Sequence, residues 1–521
     1  MLLLFPSTVL SVAIDAAASK CAAGALPTPS VYGAFVLSLD AFESNLQSTS
    51  TSFCNVTLTY THPGQNDLIK VWLGLPSTWN GRFQGVGGGG WTTGFPSNMV
   101  SAISQGYAAV STDGGHDGVG QTAQRALADS WALNSPGNVN LYALQDFASV
   151  ALNDMTLFGK QLTETYYGKP ISKSYWSGCS TGGRQGLMLA QRYPDAYDGI
   201  LAEAPAINWA GKYTSNALCA IPDVPEFIPT MFWPQWIMQQ FGYYPPQCEL
   251  DAITAAVTSA CDELDGLKDS VIGLTGLCDF DPSTVVGQRY ACGNVTGTIS
   301  KEAADITRTT WEGAKNVEGN LQWPGIAPGS PLSGIAGTTC DASGNCTGAP
   351  FTISTDWHRL FIQKNASFDP YNYTQTGWDA AFHASVQQYT SIIGTTDPDL
   401  SAFKRSGGKM ITWHGMADQL IPFNGTVHYY SRVLNHDANA TNFYRFYSAP
   451  GVGHCRGGLG AAPTDPLAQL LSWVENDEAP QTLAANRTVK GMSWKQELCQ
   501  YPLSSIYKGD DPAVASSYSC E

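Results

Sequence analysis

Charged residues are scarce in this chain of 521 residues, because Asp, Glu, Lys and Arg together make up only 13% of it. That share is about half the usual one. Lys and Arg number 27 against 43 acidic residues, which gives a net charge of −16. No long Lys/Arg run occurs. Nucleic-acid phosphates and anionic membrane surfaces both attract clustered cations, so we expect neither partner.

Long apolar runs are also missing, apart from a short one at the N-terminus. Leu2 to Ile14 is apolar but too short to cross a bilayer, and Ala16-Ala17-Ala18 follows it as a cleavage site. The run contains Pro6, and no basic residue precedes it. We nevertheless expect residues 1–18 to be a signal peptide, because the remaining features of the chain are those of an exported protein.

Thirteen cysteines and eight Asn-x-Ser/Thr sequons point to the same compartment. Cysteine-rich, glycosylated chains are typical of oxidising environments, which predicts a secreted, extracellular glycoprotein with disulfide bonds. Cys21 and Cys54 are alone in the N-terminal region, so we predict that they pair. The sequons begin at Asn55, Asn294, Asn345, Asn365, Asn372, Asn424, Asn439 and Asn486.

The order of the predicted elements favours an α/β fold. Leu68–Leu75, Arg82–Val86 and Tyr107–Thr112 read as strands, and Leu141–Tyr167 reads as one long helix that ends at Gly168. Strands that alternate with helices predict a parallel sheet with helices on both faces.

From about residue 208 to residue 407 this alternation stops, and Pro, Gly, Trp and Tyr become dense. It resumes at Lys409–Gly415, so the intervening segment reads as an insertion into one sheet domain. We predict a catalytic domain from residues 19–207 and 408–521 and a lid domain from residues 208–407. Phe232, Trp233 and Trp236 of the insertion are candidates for an aromatic substrate pocket, although a core role is favoured for each.

The segment Ser174–Pro194 contains a G-x-S-x-G match at Gly178–Gly182. A predicted strand precedes it and a predicted helix follows it, which is the context of a nucleophile elbow centred on Ser180. An ordinary Gly-rich turn is the alternative. In an elbow, the free N–H groups and positive dipole end of the helix lie beside the oxygen on which negative charge develops.

Four glycines, Gly87–Gly90, follow the strand Arg82–Val86. Such a loop either is merely flexible or supplies one N–H of an oxyanion hole, the other coming from the residue after the nucleophile. With Ser180 as nucleophile, the predicted donors are Thr181 and one of Gly88 and Gly89.

A serine nucleophile needs a base and a carboxylate that orients the base, and this fold type supplies them in the order Ser, Asp, His. Asp418 lies in a loop after the predicted strand Met410–Gly415, and His454 lies in a Gly-rich loop after the next strand. The rival bases fit less well, since one precedes Asp418 and the others lie in or beside a predicted helix. These rivals are His414, His428 and His436.

Two cysteines strengthen this assignment, because Cys179 precedes Ser180 and Cys455 follows His454. If the serine and the histidine meet, their cysteine neighbours come close enough for a disulfide. That disulfide would close a loop across the whole insertion and help to fix the distance between nucleophile and base.

Two acidic segments raise the question of a metal site. Asp262, Asp265 and Asp269 cluster around Gly266, and oxygen ligands on a compact loop suit Ca²⁺. The spacing is not that of an EF-hand, and a solvated acidic turn is the alternative, although Cys261 and Cys278 flank the loop. Asp113–Asp117, by contrast, is better explained as a turn at the end of a strand than as a metal site.

These motifs together resemble the fungal tannase and feruloyl esterase family. The resemblance covers most of the chain and implies an α/β-hydrolase core with a lid that holds a structural Ca²⁺. It further implies metal binding by the three carboxylates and two carbonyl groups, and three disulfides. The metal ligands are Asp262, Asp265, Asp269 and the carbonyls of Leu267 and Val271, and the disulfides are Cys179–Cys455, Cys261–Cys278 and Cys499–Cys520.

Two departures from the family pattern are visible. Ser270 stands where a glycine is usual after the last aspartate of the metal loop, which alters the turn without removing a ligand. The cysteine count is odd, and Cys292 is the residue that we expect to have lost its partner.

The function implied is hydrolysis of carboxylic esters of phenolic acids through an acyl-enzyme, with hydroxycinnamate (feruloyl) esters of plant cell walls as the first choice. Gallate esters, the substrates of tannase, are the second. A non-catalytic, calcium-stabilised secreted binding protein is the alternative from another class, and a secreted serine peptidase is a third hypothesis.

Overall fold

A large mixed β-sheet forms the centre of the computed structural model, which describes residues 20–47, 49–116, 127–210, 227–293 and 295–521. The predicted signal peptide lies outside these ranges, as do Asp117, Cys219 and Asn294. The nine strands of the sheet within the described residues are β1 Phe35–Asn45, β2 Ser52–Thr61, β3 Ile69–Pro76, β4 Arg82–Val86, β5 Ala108–Thr112, β6 Lys173–Cys179, β7 Gly199–Glu203, β8 Lys409–Gly415 and β9 Tyr444–Ala449.

The strands lie in the order β1-β2-β3-β5-β4-β6-β7-β8-β9. Strands β4 to β9 are parallel to one another, as the alternation of elements predicts. The first three strands run antiparallel to their neighbours, so the expectation of a wholly parallel sheet is wrong there. The reason is loop length: the connections β1–β2 and β2–β3 are turns, and a parallel pair needs a crossover of a dozen or more residues.

The α-helices flank this sheet on both faces and also fill the insertion. Within the described ranges they are α1 Val100–Ser104, α2 Leu141–Ala148, α3 Val150–Tyr167, α4 Thr181–Arg192, α5 Phe227–Thr230, α6 Trp233–Phe241, α7 Gln247–Cys261, α8 Lys301–Glu312, α9 Thr352–Asp356, α10 Gln375–Ile393, α11 Ser401–Arg405, α12 Phe423–His436 and α13 Pro466–Asn476, with a π-helix at Trp357–Ile362.

Short strands outside the central sheet form hairpins and one three-stranded sheet. The hairpins pair Leu133–Ser135 with Asn138–Val139, Arg289–Cys292 with Val295–Thr298, Ala314–Lys315 with Leu321–Trp323, Thr338–Cys340 with Cys346–Gly348, and Ser505–Tyr507 with Tyr518–Cys520; the small sheet contains Ala462–Pro463, Thr482–Val489 and Met492–Cys499.

Two apolar cores lie against the central sheet. Helices α3, α4 and α12 pack on one face, and α1 and α13 pack on the other. The predicted helix Leu141–Tyr167 is in fact two helices, α2 and α3, which meet at Ser149 with φ −161°. The break leaves the carbonyl groups of Phe147 and Ala148 to accept hydrogen bonds from the guanidinium of Arg184, at 3.1 and 3.0 Å.

The inserted region leaves the sheet after Glu203 and returns at Lys409. It forms a third, aromatic core in which Phe232, Trp233 and Trp236 are buried, as favoured above. The same core includes Trp91 and residues of α2, so it adjoins the sheet beside the loop that follows β4.

Six disulfides join cysteines of the described residues. Cys292 bonds to Cys248, so the expectation that it lacks a partner is wrong. The two cysteines are 44 positions apart, and no sequence motif links them. No described helix combines the length and the apolar character needed to cross a membrane. The other disulfides are Cys21–Cys54, Cys179–Cys455, Cys261–Cys278, Cys340–Cys346 and Cys499–Cys520.

Candidate active site

Ser180 occupies a tight turn between β6 and α4, with φ 62° and ψ −122°. A positive φ is costly for a non-glycine residue and is found where the surrounding structure enforces it. The neighbouring glycines are needed for close approach. A Cβ on Gly178 would lie 2.7 Å from the backbone of Gly182, and one on Gly183 would lie 2.3 Å from the carbonyl oxygen of Glu203. The turn therefore has the geometry of a nucleophile elbow.

Thr181 is the first residue of α4, so its N–H has no acceptor within the helix. Its hydroxyl donates to the carbonyl of Gly90 at 2.8 Å, which ties the helix start to the glycine loop. The positive end of the helix dipole lies at this point. Thr181 is thus placed to stabilise negative charge beside Ser180.

The two predicted glycine donors are not free. The N–H of Gly88 donates to Oε1 of Gln185 at 3.2 Å, and the N–H of Gly89 donates to the carbonyl of Thr92 at 3.1 Å. An oxyanion would have to share either donor with its present acceptor. The glycine motif indicated that the loop comes close to its neighbours, and the structure shows this close approach. The motif could not reveal that Gln185 and Thr92 already accept from the two glycine N–H groups.

Asp418 and His454 lie in loops at the ends of β8 and β9. Nδ1 of His454 is 2.8 Å from Oδ2 of Asp418, and the other carboxylate oxygen accepts from the N–H groups of Leu420 and Ile421, both at 2.8 Å. Asp418 is almost fully buried, with 1% of its surface exposed. The carboxylate is therefore held in one orientation, and it fixes the Nδ1–H tautomer of His454.

A second histidine contacts the same carboxylate. Nε2 of His414 lies 3.1 Å from Oδ2 of Asp418 and 3.2 Å from the carbonyl of Ile421, and both of these atoms are acceptors. Nε2 must carry the proton, and Nδ1 then accepts from the hydroxyl of Thr426 at 2.7 Å. His414 is a partner of Asp418 rather than a rival to His454.

The charge of Asp418 is well compensated. Burial by itself would raise the pKa of this carboxyl, but the charges and hydrogen bonds of His454 and His414 outweigh burial and hold the pKa well below its usual value. The ionised form of Asp418 is consequently favoured at neutral pH.

The disulfide Cys179–Cys455 connects the loop of Ser180 to the loop of His454, with 5.9 Å between the Cα atoms and a sequence separation of 276. Each cysteine is the immediate neighbour of Ser180 or of His454. Both of these residues line one cavity of about 1260 Å³. The disulfide therefore holds together two loops that are far apart in the sequence.

The cavity wall is largely apolar on the side of the inserted region. Trp209, Phe227, Phe351 and Ile353 line it there, and Trp91 lines it from the glycine loop. A cavity of this kind holds a flat organic group well. None of Phe232, Trp233 and Trp236 is part of the lining.

Three ionisable residues of this wall were not singled out from the sequence, namely Glu203, Arg456 and Asp465, and Glu203 is the one bonded to the elbow. Its carbonyl accepts from the N–H of Ser180 at 3.1 Å, and Oε1 of its side chain accepts from the indole of Trp413 at 2.8 Å. Burial raises the pKa of Glu203 to about 7. The sequence offered one indication that Glu203 lies near the site, which is its position at the end of the strand that follows the elbow.

In the turn after β5, which the structure describes as far as His116, the side chains of Asp113 and His116 bond within the protein. Oδ1 of Asp113 accepts from the N–H groups of Lys70 and Gly115, at 2.9 and 2.8 Å. Nε2 of His116 contacts the carbonyl of Ala143 at 2.9 Å, and its ring stacks on Trp131.

The acidic loop of the inserted region is compact. Asp262 and Asp265 lie on a 3₁₀ turn that ends at Gly266, whose φ of 91° favours glycine. Oδ1 of Asp262 accepts from the N–H groups of Asp269 and Val271, at 3.0 and 3.2 Å. Asp262 therefore shapes the loop as well as contributing a carboxylate.

The remaining predicted ligands line a small cavity of about 20 Å³. Asp265, Leu267, Asp269 and Val271 line it, and Arg487 lines it too and forms an ion pair with Asp269. Two carboxylates beside main-chain carbonyls suit a hard cation. The donor set therefore fits Ca²⁺, with Asp262 outside the cavity lining and Arg487 as a neighbour that the sequence did not indicate.

Comparisons with known proteins agree with these observations. A family model described as tannase and feruloyl esterase matches residues 54–521. A curated relative from Arthroderma benhamiae, named a probable feruloyl esterase, is 38% identical over 514 residues, covering 94% of this chain and 92% of the relative. A tannase from Aspergillus oryzae is 28% identical, covering 91% and 85%.

Among solved structures, a tannin acyl hydrolase from Aspergillus niger superposes with a TM-score of 0.83 at 28% identity, covering 96% of this chain and 93% of that one. The family match spans the elbow, the aspartate loop and the histidine loop. The chain therefore belongs to the tannase and feruloyl esterase family, whose members are carboxylic ester hydrolases.

Proposed function

We propose that the protein is a secreted serine esterase that cleaves esters of phenolic acids, with feruloyl and related hydroxycinnamoyl esters as its principal substrates. The observation that carries this proposal is the fixed Asp418–His454 pair, which is tied by a disulfide to the elbow of Ser180 in one aromatic-lined cavity. The six disulfides support an extracellular location. The name of the Arthroderma relative supports the choice of feruloyl esters.

In this proposal residues 19–207 and 408–521 form an α/β-hydrolase core, and residues 208–407 form a lid. The parallel strands β4 to β9 support the assignment of the core, because the elbow and both partner loops follow their carboxyl ends. The lid supplies the apolar wall of the cavity. Ser180, Asp418 and His454 lie outside the lid, each after a strand of the sheet.

The first half of the reaction forms an acyl-enzyme. Oγ of Ser180 attacks the ester carbonyl carbon while its proton passes to Nε2 of His454, which is the basic nitrogen because Nδ1–H donates to Asp418. The carbonyl oxygen becomes an oxyanion, which the Thr181 N–H and the helix dipole stabilise. Collapse of the tetrahedral intermediate breaks the bond to the alcohol oxygen, and His454 returns the proton to that oxygen.

The second half releases the acid. Water loses a proton to Nε2 of His454 and attacks the acyl carbon, and a second tetrahedral intermediate forms. Its collapse breaks the bond to Oγ of Ser180, which regains the proton from His454. Gly88 or Gly89 is the proposed second oxyanion donor, on the condition that it is released from Gln185 or from Thr92 in the transition state.

Gallate esters are the second candidate substrates, since the superposed Aspergillus niger protein is a tannin acyl hydrolase. A galloyl group is flat like a feruloyl group but carries three phenolic oxygens and no propenyl spacer. It needs more polar partners in the wall, and Glu203, Arg456 and Asp465 are ionisable residues of the lining.

The test is hydrolysis of methyl ferulate, methyl gallate and a p-nitrophenyl acyl ester by the secreted protein and its Ser180→Ala variant. We expect ferulate turnover in the wild type and a loss in the variant of roughly 10⁴-fold or more in kcat. Preference for gallate would assign tannase activity and keep the mechanism. A folded wild type that turns over no ester would overturn the proposal and favour a binding protein, while turnover of peptides alone would favour a peptidase.

We also propose a structural Ca²⁺ in the acidic loop of the lid, held by Asp265, Asp269 and the carbonyls of Leu267 and Val271, with Asp262 as a further carboxylate. The small cavity and the flanking disulfide Cys261–Cys278 support it. The ion neutralises carboxylates that are packed together and takes no part in the ester chemistry.

Chelation tests the calcium site. A ligand that binds only the folded state raises stability, so we expect chelator to lower the Tm of the wild type by several degrees and Ca²⁺ to restore it. The Asp265→Ala variant should have a lower Tm, and Ca²⁺ added after chelation should not raise it. The exposed Asp251→Ala variant is the matched control and should respond like the wild type; an Asp265→Ala protein that still responds fully would exclude the site.

A further inference from the structure

A second group of acidic and imidazole side chains lies far from the catalytic loops in sequence. His62 follows β2, Asp67 lies in the turn to β3, Asp146 lies on α2, and Asp154 lies on α3. His62, Asp146 and Asp154 are 8%, 1% and 5% exposed. The four side chains therefore meet at a nearly buried point where a hairpin turn packs on two helices.

The hydrogen bonds of the imidazole are unusual for a core histidine. Nδ1 of His62 lies 2.5 Å from Oδ2 of Asp67, and Nε2 lies 3.0 Å from Oδ2 of Asp154. Asp154 also accepts from the hydroxyl of Tyr60 at 3.1 Å, and Oδ1 of Asp67 accepts from the hydroxyl of Thr61 and the N–H of His62. These bonds fix the orientation of the ring and of both carboxylates.

Asp146 differs from the other two carboxylates. Oδ1 and Oδ2 are both buried, and neither accepts a hydrogen bond from any described residue. Oδ1 nevertheless lies 4.0 Å from Nδ1 of His62. No described Lys or Arg pairs with any of the three carboxylates, so one imidazole faces three acids. A buried carboxylate that accepts no hydrogen bond calls for a cation, and the one imidazole near Asp146 is shared with two other acids.

We propose that Nδ1 of His62, Oδ2 of Asp67 and Oδ1 of Asp146 bind a structural divalent ion of the zinc type. One ligand atom from each of the three residues lies within 4.8 Å of the others. A tetrahedral Zn²⁺ has bonds of about 2.0–2.2 Å, which places ligand atoms about 3.4 Å apart. The separations of 2.5 and 4.0 Å from Nδ1 lie on either side of this value, so both carboxylates would move on binding, and the three residues fill three of the four positions around the ion.

Asp154 supports this assignment through the other side of the ring. A metal-binding histidine usually donates its second N–H to a carboxylate, which fixes the tautomer and strengthens the ligand. Nε2–H of His62 has that partner in Asp154, and Tyr60 holds Asp154 in turn. Asp154 is thus a positioning residue for the metal ligand.

The donor set selects the kind of ion. Ca²⁺ takes six to eight oxygen ligands, whereas this pocket offers one nitrogen and two carboxylates in a confined space. The ion would join the turn between β2 and β3 to helix α2. That helix carries Phe147, whose carbonyl binds Arg184 of the elbow helix, so the site lies behind the scaffold of the nucleophile without touching it.

The experiment uses the untagged, full-length secreted protein, stripped of metal and then supplied with excess Ca²⁺ to fill the acidic loop. We expect Zn²⁺ titration to show one bound ion per chain and a rise in Tm. Co²⁺ at the same site should give the intense visible absorption of a tetrahedral complex. Asp146→Asn should abolish these signals, and it should fold because Asn keeps the shape of a side chain that accepts no hydrogen bond from the described residues.

Asp154→Asn keeps all three ligands and should weaken Zn²⁺ binding by roughly 10–100-fold. The exposed Asp251→Asn variant is the matched control and should bind like the wild type. The proposal is overturned if Zn²⁺ and Co²⁺ do not bind, or if Asp146→Asn retains the site. It is also overturned if X-ray absorption of the zinc-loaded wild type shows no histidine nitrogen on the metal.

Discussion

The cluster around Asp418 and the cluster around His62 contain the same two residue types in opposite proportions. Two histidines serve one carboxylate at the first, and four donors satisfy its two oxygens. One histidine serves three carboxylates at the second, and Asp146 receives no hydrogen bond from the described residues. Asp418 and Asp146 are both buried, so burial alone does not decide whether a carboxylate is ionised.

The difference shows in the pKa values. The two histidines and the hydrogen bonds hold the pKa of Asp418 low against the effect of burial, whereas burial raises the pKa of Asp146 to about 8. A buried carboxylate stays ionised only when donors and positive charge surround it. The first cluster supplies these groups itself, and the second requires either a proton or an added cation.

Asp418→Asn removes the charge at the first cluster while keeping the shape, and it should have the largest effect. An amide in place of the carboxylate presents N–H to one of the histidines and favours the wrong tautomer of His454. We expect kcat for methyl ferulate to fall by roughly 10³–10⁴-fold with little change in KM. The exposed Asp251→Asn variant should match the wild type, and an Asp418→Asn enzyme within tenfold of the wild type would contradict the role of Asp418.

His414→Leu removes one of the two histidines that serve Asp418. The carboxylate loses a hydrogen bond and its pKa rises, so we expect kcat to fall by about tenfold and stability at neutral pH to fall by about 2 kcal/mol. A lowered folded-state pKa contributes stability above the unfolded pKa that is lost as pH falls towards the folded value. The acid unfolding midpoint of the variant should therefore lie at a higher pH.

His414→Gln is the matched variant, because its amide can still donate to Asp418. It should recover part of both kcat and acid stability. If His414→Leu and His414→Gln behave identically, then His414 only fills space, and the second histidine has no electrostatic role.

Glu203 is intermediate between the clusters, with one donor from Trp413 and no paired cation, and burial raises its pKa to about 7. Its folded-state pKa is above the unfolded value, so the wild type loses stability as pH rises from about 4.5 to about 7 and then levels off. Glu203→Gln cannot ionise and should escape this loss, which amounts to at most about 3 kcal/mol. Urea unfolding of both proteins at pH 4.5 and pH 7.5 measures it; parallel curves would contradict the raised pKa.

Much of the catalytic geometry could be predicted from local sequence. Gly178, Gly182 and Gly183 permit a turn that few other residues can form, and the order Ser, Asp, His limits the partners of Ser180. The cysteines beside Ser180 and His454 carried long-range information, because a disulfide requires two Cα atoms to lie within about 7 Å. The parallel part of the sheet followed from the alternation of strands and helices.

Contacts between segments without a motif could not be predicted. His414 looked like a competing base because sequence gives no direction to a side chain, and Gln185 reaches Gly88 from a helix 97 residues later. The cluster of His62 and Asp146 joins a turn to a helix 84 positions away, and neither segment carries a ligand spacing of its own. Ser149, which divides a helix that looks continuous, is likewise decided by its tertiary surroundings.

The inserted region begins and ends on neighbouring parallel strands, with Glu203 of β7 paired in register with Trp413 of β8. The chain leaves β7 at its carboxyl end but enters β8 at its amino end, where Lys409 pairs with Gly199, so the two junctions lie at opposite edges of the sheet. The inserted region is therefore one long crossover between adjacent parallel strands, and it has to travel the length of a strand to return. Its length and sequence can vary as long as it spans this distance, because the hydrogen bonds between β7 and β8 do not involve it.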